Sequence, residues 1–484
     1  MQYSFLKLSY FSYSISLIEK RVFHIAGFIV VALGCGLFTN QIILSDFMEE
    51  HQINIRMFRP MESYQKYGGV LTFARSVGYA VVKKPEGYTT AKVDQIIQEN
   101  EKKSANEQQS TAKQYPNIIT VVNETFADIK VLGDFKTNED YMPYFHSLKK
   151  NCVTGYTYAS IVGGQTANTE FELLTGNTLG FLSAGTTAFQ LYIHGQMPSL
   201  VSNLKAEGYS GNKAMHPFNP YNYNRPAVYK DFGFADFIDK FDFPKNVKRV
   251  REYISDEANV DRIISEYEKN RKKTDQPFYM YNMTIQNHSP YDKDAANFKQ
   301  PIKIESSKYD AEANRYLNLI KYSDDSLKQL TSYFEKCKEP TIILFLGDHQ
   351  PRLTDEFMNK ITNGQYQTWS SEQMMKRYQV PFVIWANYDI KEQHIEKTSM
   401  NYIQSILTKT AGVKMTGYQR FLNEVRKEVP TITSQGYWGK NGKFYQINDK
   451  GSPYYGIIQK YRMIQYNMMF DKKNRRDSFF EVSK

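Results

Sequence analysis

The 484-residue sequence has only three cysteines, Cys35, Cys152 and Cys337. So few and so scattered, they exclude a disulfide framework and a thiolate zinc site, and leave a Cys152 to Cys337 bridge as an open possibility. Charge is sparse too. Charged residues are 23% of the chain against 41% hydrophobic and 15% aromatic, which is not the composition of a disordered protein and is enough apolar material for a substantial core. There is no internal repeat, and no basic cluster with interleaved aromatics that would mark a nucleic-acid stripe. The net charge of +10 therefore points to the other common anionic surface, membrane lipid, with no nucleic acid as partner.

Long hydrophobic runs are also rare, and the one present is informative. Residues 23–44 contain no charge if His24 is neutral, and a bilayer crossing takes about 20 such residues. Lys7, Lys20 and Arg21 precede the run and Asp46, Glu49 and Glu50 follow it, so the amino terminus is expected in the cytoplasm and everything after residue 45 outside. The long segment before the run and its length predict an uncleaved single-pass anchor in the cell membrane rather than a signal peptide. The expected organisation is a cytoplasmic or interfacial stretch (1–22), a transmembrane helix (23–45) and a juxtamembrane helical linker (46–115). A catalytic domain (116–400) and a C-terminal subdomain (401–484) complete it.

Beyond the anchor, short apolar runs alternate with helical periodicity. Strands are predicted at 118–122, 278–285, 341–346 and 381–385, and helices at 64–82, 200–206, 309–334 and 402–410. Uninterrupted Ile, Val and Phe runs read as strands buried on both faces. The fold class is therefore α/β, a mainly parallel sheet flanked by helices, with a smaller C-terminal α+β portion. In open sheets of this kind ligands bind beyond the carboxyl ends of strands. Two runs end in metal-ligating residue types: NIITVV runs into Asn123-Glu124-Thr125, and TIILFL into Gly347-Asp348-His349. Carboxylates and an imidazole gathered in one crevice suit a divalent cation.

Between them lies Gly163-Gly164-Gln165-Thr166, followed by ANTEFELLTG. Thr169 and Glu172 have capping-box spacing, which predicts a helix here and places the Thr166 hydroxyl near its amino terminus. There the helix dipole and free N–H groups favour an alkoxide and an anionic phosphate alike, and a bound cation lowers the hydroxyl pKa further. Thr125 lacks the glycine-relieved loop and is the weaker nucleophile candidate. His288 follows a third strand, and His216, Tyr223 and Arg225 fall in MHPFNPYNYNR, a loop able to present a cation and donors to a phosphodiester.

These residues resemble the lipoteichoic acid synthase family of the alkaline phosphatase and sulfatase superfamily. Within it, NETFADIKVLGDFKTNEDYMPYFHSL and GGQTANTEFELLTGNTLGFL look closest to Gram-positive membrane enzymes that attach glycerol phosphate to cell-wall polysaccharides. The resemblance implies a Mn²⁺ (or Mg²⁺, Zn²⁺) site made by Glu124, Thr166, Asp348 and His349, with Thr166 as nucleophile. It also implies that His216, Arg225 and His288, with Tyr223 where the synthases carry Trp, bind the phosphoglycerol group. Phosphatidylglycerol is then the donor and a cell-wall polysaccharide or teichoic acid the acceptor. The synthases have several membrane spans and this chain shows one. The C/S-x-P-x-R frame of true sulfatases is absent, which argues against sulfate-ester hydrolysis. A phosphodiesterase of the same superfamily and a non-catalytic polymer-binding module are the alternative readings.

Overall fold

A computed structural model of the chain describes residues 17–43, 55, 60–104, 114–305 and 310–482. The chain divides into two compact units, Met1–Val81 and Val82–Lys484. In the first, α1 (Leu17–Phe38) continues through a short π-turn, Thr39–Ile43, and its apolar window Arg21–Gln41 is exposed along its 21 residues. Among the described residues it is the one helix long and apolar enough to cross a bilayer. The expected helix at 64–82 appears as α2 (Pro60–Ala80), broken at Gly68, where φ is +74°. The acidic residues after the apolar run and the interfacial segment 1–16 lie outside the described residues, as do residues 105–113 of the predicted linker.

The second unit opens with α3 (Thr90–Ser104) and is built on β1 (Asn117–Asn123), β2 (Cys152–Tyr158), β3 (Ser210–His216), β4 (Asp236–Asp239), the hairpin β5 and β6 (Arg249–Val250, Tyr253–Ile254), β7 (Phe278–Met283), β8 (Thr341–Gly347), β9 (Gln379–Ala386) and β10 (Gln393–Ser399). Eight strands form one sheet in the order β10-β2-β9-β8-β1-β7-β3-β4. Neighbours from β8 through β4 are parallel, β10 is parallel to β2, and β9 alone is antiparallel to both of its neighbours. Strands β1, β2, β3, β7 and β8 therefore all deliver their carboxyl ends to one edge.

Strand alternation sends Ile118 and Val122 of β1 into one core and Ile119 and Val121 into the other. The first core is covered by α4 (Thr166–Thr175), α8 (Met400–Thr410), α9 (Gly417–Glu428) and α10 (Tyr455–Met469); the second by α6 (Asp256–Arg271) and α7 (Ala311–Phe334). Between them in the chain, α5 (Arg225–Phe232) follows β3. The tail beyond residue 400 thus packs into the same core as the sheet, and adds a small three-stranded sheet, β11-β12-β13 (Thr431–Thr433, Gly436–Trp438, Phe444–Tyr445). The Cys152 to Cys337 bridge is not formed: both thiols are free.

Candidate active site

β1 and β8 are neighbours, with Asn123 paired to Gly347. The residues that follow, Glu124 and Asp348-His349, leave the sheet side by side, about 4.8 Å apart at the backbone. Gly347 permits this closeness, because a Cβ there would stand 1.8 Å from the Phe126 carbonyl oxygen. One ligand atom each from Glu124, Asp348 and His349 lies within 4.8 Å of the others, and all three side chains are buried.

The donor set is prepared for a cation. Asp348 Oδ1 accepts from the backbone N–H groups of Thr125 (2.7 Å) and His349 (2.8 Å), while its Oδ2 has no hydrogen-bond partner. His349 Nδ1 lies 2.9 Å from the Gln350 carbonyl oxygen, which requires the proton on Nδ1 and leaves a lone pair on Nε2. That Nε2 also lacks a hydrogen-bond partner, 3.2 Å from Asp348 Oδ2 and 3.8 Å from Glu124 Oε1. Facing acceptors with no donor between them are costly when buried, about 1–3 kcal/mol each. A divalent cation satisfies them together. Burial and then the charge of Asp348 push Glu124 up to about 8, against the opposing pull of His349 and Arg225.

Thr166 reaches the cluster from β2. The chain turns through Gly163 (φ +66°), Gly164 (φ +139°) and Gln165 (φ +67°), conformations that favour glycine at the first two positions, and Thr166 is the first residue of α4. Its Oγ1 is 3.5 Å from Glu124 Oε2. The predicted capping box is not formed. The glycine turn starts the helix earlier, so Thr169 lies inside it and donates to the Asp348 carbonyl at 2.8 Å, while Glu172 accepts from Ser160, Thr178 and the Leu179 N–H. Thr125 is also explained: its hydroxyl engages the Asn287 carbonyl (3.1 Å) and Tyr291 (3.2 Å), and its N–H orients Asp348.

His216 ends β3, and its Nδ1 lies 3.0 Å from the Met283 carbonyl. Burial, then the Arg225 charge, hold it well below the usual histidine range. His288 is likewise lowered by burial, with Nδ1 2.7 Å from the Ser289 carbonyl. Arg225, 1% exposed, donates from Nε (3.0 Å) and Nη2 (2.7 Å) to Glu170 Oε1, which leaves Nη1. The Tyr281 hydroxyl donates to Glu170 Oε2 at 3.1 Å, and Tyr229 donates to the same oxygen. The Arg225 guanidinium lies over the Tyr223 ring, 5.1 Å from its centroid. The Arg225 charge acts on Glu124 and His216, and that of Asp348 on His288 and Tyr223, so all eight predicted residues share one electrostatic neighbourhood.

Sequence reasoning missed Glu170 and Arg251. Glu170 stands four residues after Thr166, one helical turn on the same face, a spacing that points to a shared site. Arg251 holds the His288 loop by donating to the carbonyls of Gln286, His288 and Pro290 (2.8, 2.7 and 2.7 Å); nothing in its local sequence signals this.

Residues 116–413 match the family described as Sulfatase. The chain belongs to the sulfatase family. This sulfatase-family chain is similar to a Rhizobium meliloti (strain 1021) protein named, provisionally, as a cyclic beta-1,2-glucan modification protein, with 30% identity over 433 residues covering 88% of this chain and 65% of the relative. It is 28% identical over 196 residues to the lipoteichoic acid synthase of Staphylococcus aureus (strain USA300), covering 38% of this chain and 28% of the relative. The chain thus spans less than two thirds of the length of either relative. Among solved structures, Streptococcus pyogenes phosphoglycerol transferase GacH in complex with sn-glycerol-1-phosphate shares the fold, with a TM-score of 0.67 at 20% identity, covering 83% of this chain and 100% of that one.

Proposed function

We propose that this chain is a membrane-anchored, metal-dependent phosphoglycerol transferase. It takes glycerol phosphate from phosphatidylglycerol and passes it, by way of a threonine-bound intermediate, to a polysaccharide or teichoic acid outside the cytoplasmic membrane. The observation that carries this reading is the convergence of Thr166, at a helix start, with Glu124, Asp348 and His349 at two neighbouring strand ends. A polysaccharide acceptor is favoured by the glucan named for the Rhizobium relative.

Glu124, Asp348, His349 and Thr166 would hold the cation, Mn²⁺ or else Mg²⁺ or Zn²⁺, which would supply Lewis acidity to the Thr166 hydroxyl. Thr166 Oγ1 bonds to phosphorus, the bond to the diacylglycerol oxygen breaks, and the proton ends on that oxygen. An acceptor hydroxyl then bonds to phosphorus, the Thr166 oxygen leaves, and its proton is restored. Arg225 Nη1 and the free N–H groups of α4 stabilise the phosphoryl oxygens. His216 and His288, held neutral with Nδ1 against a carbonyl, keep Nε2 to accept from glycerol or acceptor hydroxyls.

The full chain, incubated with phosphatidylglycerol, Mn²⁺ and a neutral glucan, is expected to release diacylglycerol and to load glycerol phosphate on the glucan. Free glycerol phosphate without loading assigns the phosphodiesterase instead, and no diacylglycerol at all sinks both.

A thermal measurement checks the cation separately. Mn²⁺ is expected to raise the midpoint, by about 2.7 kcal/mol of stability at a hundred times its Kd. Asp348→Asn should abolish that response without lowering the metal-free midpoint, because the new amide donates toward His349 Nε2, now 3.2 Å from Asp348 Oδ2. A metal-free variant markedly less stable than the parent would show that Asp348 is a structural acceptor.

A further inference from the structure

The second unit buries most of its large apolar side chains, and among its described residues two stand out: Tyr221 is 79% exposed and Phe241 74%. Both stand off the catalytic edge. β3 and β4 end together, with His216 paired to Asp239; Tyr221 comes shortly after the first strand and Phe241 shortly after the second. The Lys240 N–H donates to the Phe218 carbonyl at 3.4 Å, and Lys240 Nζ lies 5.9 Å from the Phe218 ring centroid and 4.9 Å from that of Phe241. Phe218 in turn meets His216 edge-on at 6.1 Å and stacks on His288 at 6.3 Å. The same loop carries Tyr223 and Asn224 with φ of +60° and +58° and runs directly into Arg225. The two exposed rings therefore stand on the loops beside the residues to which the proposed function gives the glycerophosphate group.

We infer that Tyr221 and Phe241, with Lys240 and Lys245, form a docking rim that enters the headgroup layer of an anionic bilayer and brings the site to a donor still held in the membrane. The inference rests on the reading that the donor is a membrane lipid. Exposed aromatic rings settle at the depth of lipid headgroups, and lysines beside them meet lipid phosphates while their stems cover apolar surface. The acidic neighbours each engage the local backbone, Asp239 accepting from the Phe241 N–H (2.7 Å) and the exposed Asp242 from the Asp239 N–H (2.9 Å). Lys245 is exposed, whereas His216 and Arg225 are buried, so a donor phosphodiester must be met at the pocket mouth rather than on an open face.

The test uses the full chain reconstituted in vesicles of phosphatidylcholine and phosphatidylglycerol whose acyl chains carry bromine. In a Phe241→Trp variant, the emission added to that of the three native tryptophans is expected to be quenched by the brominated lipid. A Tyr221→Ser, Phe241→Ser double variant should turn over vesicle phosphatidylglycerol about tenfold more slowly, yet cleave a water-soluble short-chain phosphatidylglycerol at the parent rate. Unquenched emission overturns the rim. Equal losses on both lipids overturn it in favour of a role inside the pocket, and a raised KM for polysaccharide alone hands these rings to the acceptor. If the parent cleaves neither lipid, the donor reading fails while the quenching still decides whether the rim meets the bilayer.

Discussion

Thr166→Ala is expected to lower diacylglycerol release by at least about 10³-fold, the loss seen when a nucleophile is removed and only binding and electrostatic stabilisation remain. The same change should leave stability within about 1 kcal/mol of the parent. Thr166 heads α4 without serving as its cap, and its hydroxyl makes one long contact, 3.5 Å to Glu124. Activity and folding thus separate at this residue. Mass spectrometry of the parent after phosphatidylglycerol and Mn²⁺ should find a glycerophosphate adduct on the Thr166 peptide, absent from the alanine variant. Thr166→Ser, which keeps the oxygen, should retain both adduct and turnover. An alanine variant that still releases diacylglycerol would move the nucleophile elsewhere and with it the whole two-step scheme.

The second large effect is on stability. Glu170→Ala should destabilise the fold by about 3–5 kcal/mol, because it strands the Arg225 guanidinium in the interior. Arg225 is 1% exposed, Glu170 fully buried, and two guanidinium nitrogens rest on one carboxylate oxygen. Removing both charges, as Glu170→Ala with Arg225→Met, should cost much less than the two single changes added together. Urea unfolding of the four proteins reads the coupling. Additive losses would show that Arg225 is solvated or finds another partner when Glu170 is gone.

Where the chain wrote its fold in apolar runs, the fold could be read. The runs at 118–122, 341–346 and 381–385 lie within β1, β8 and β9, and the helix at 200–206 appears at Leu200–Ala206. β3, SGNKAMH, was not legible, since Gly, Asn and Lys interrupt any run, nor was β2, where Gly155, two threonines and two tyrosines break the pattern. The direction of β9 was hidden for another reason: a strand buried on both faces looks the same whichever way it runs. At the site, Glu124, Asp348 and His349 were visible because strands announce their own ends. Glu170 was masked by its neighbours, which read as an amphipathic helix, and Arg251 donates its hydrogen bonds to backbone carbonyls that no side-chain pattern encodes.

Thr166 and Glu170 occupy successive turns of α4, and between them Thr169 is bolted to the Asp348 carbonyl at 2.8 Å. Through these three positions a single rigid rod carries the hydroxyl, the brace of the guanidinium and a tie to the cluster beside His349. Jostling of the rod displaces all of them together, so their spacing survives motions that would scatter side chains drawn from separate loops. The segment from Pro217 to Asn224 reaches the same site from a loop instead, setting the Tyr223 ring under Arg225 and the Phe218 ring against His216 and His288, so its contribution shifts with the loop and not with the rod.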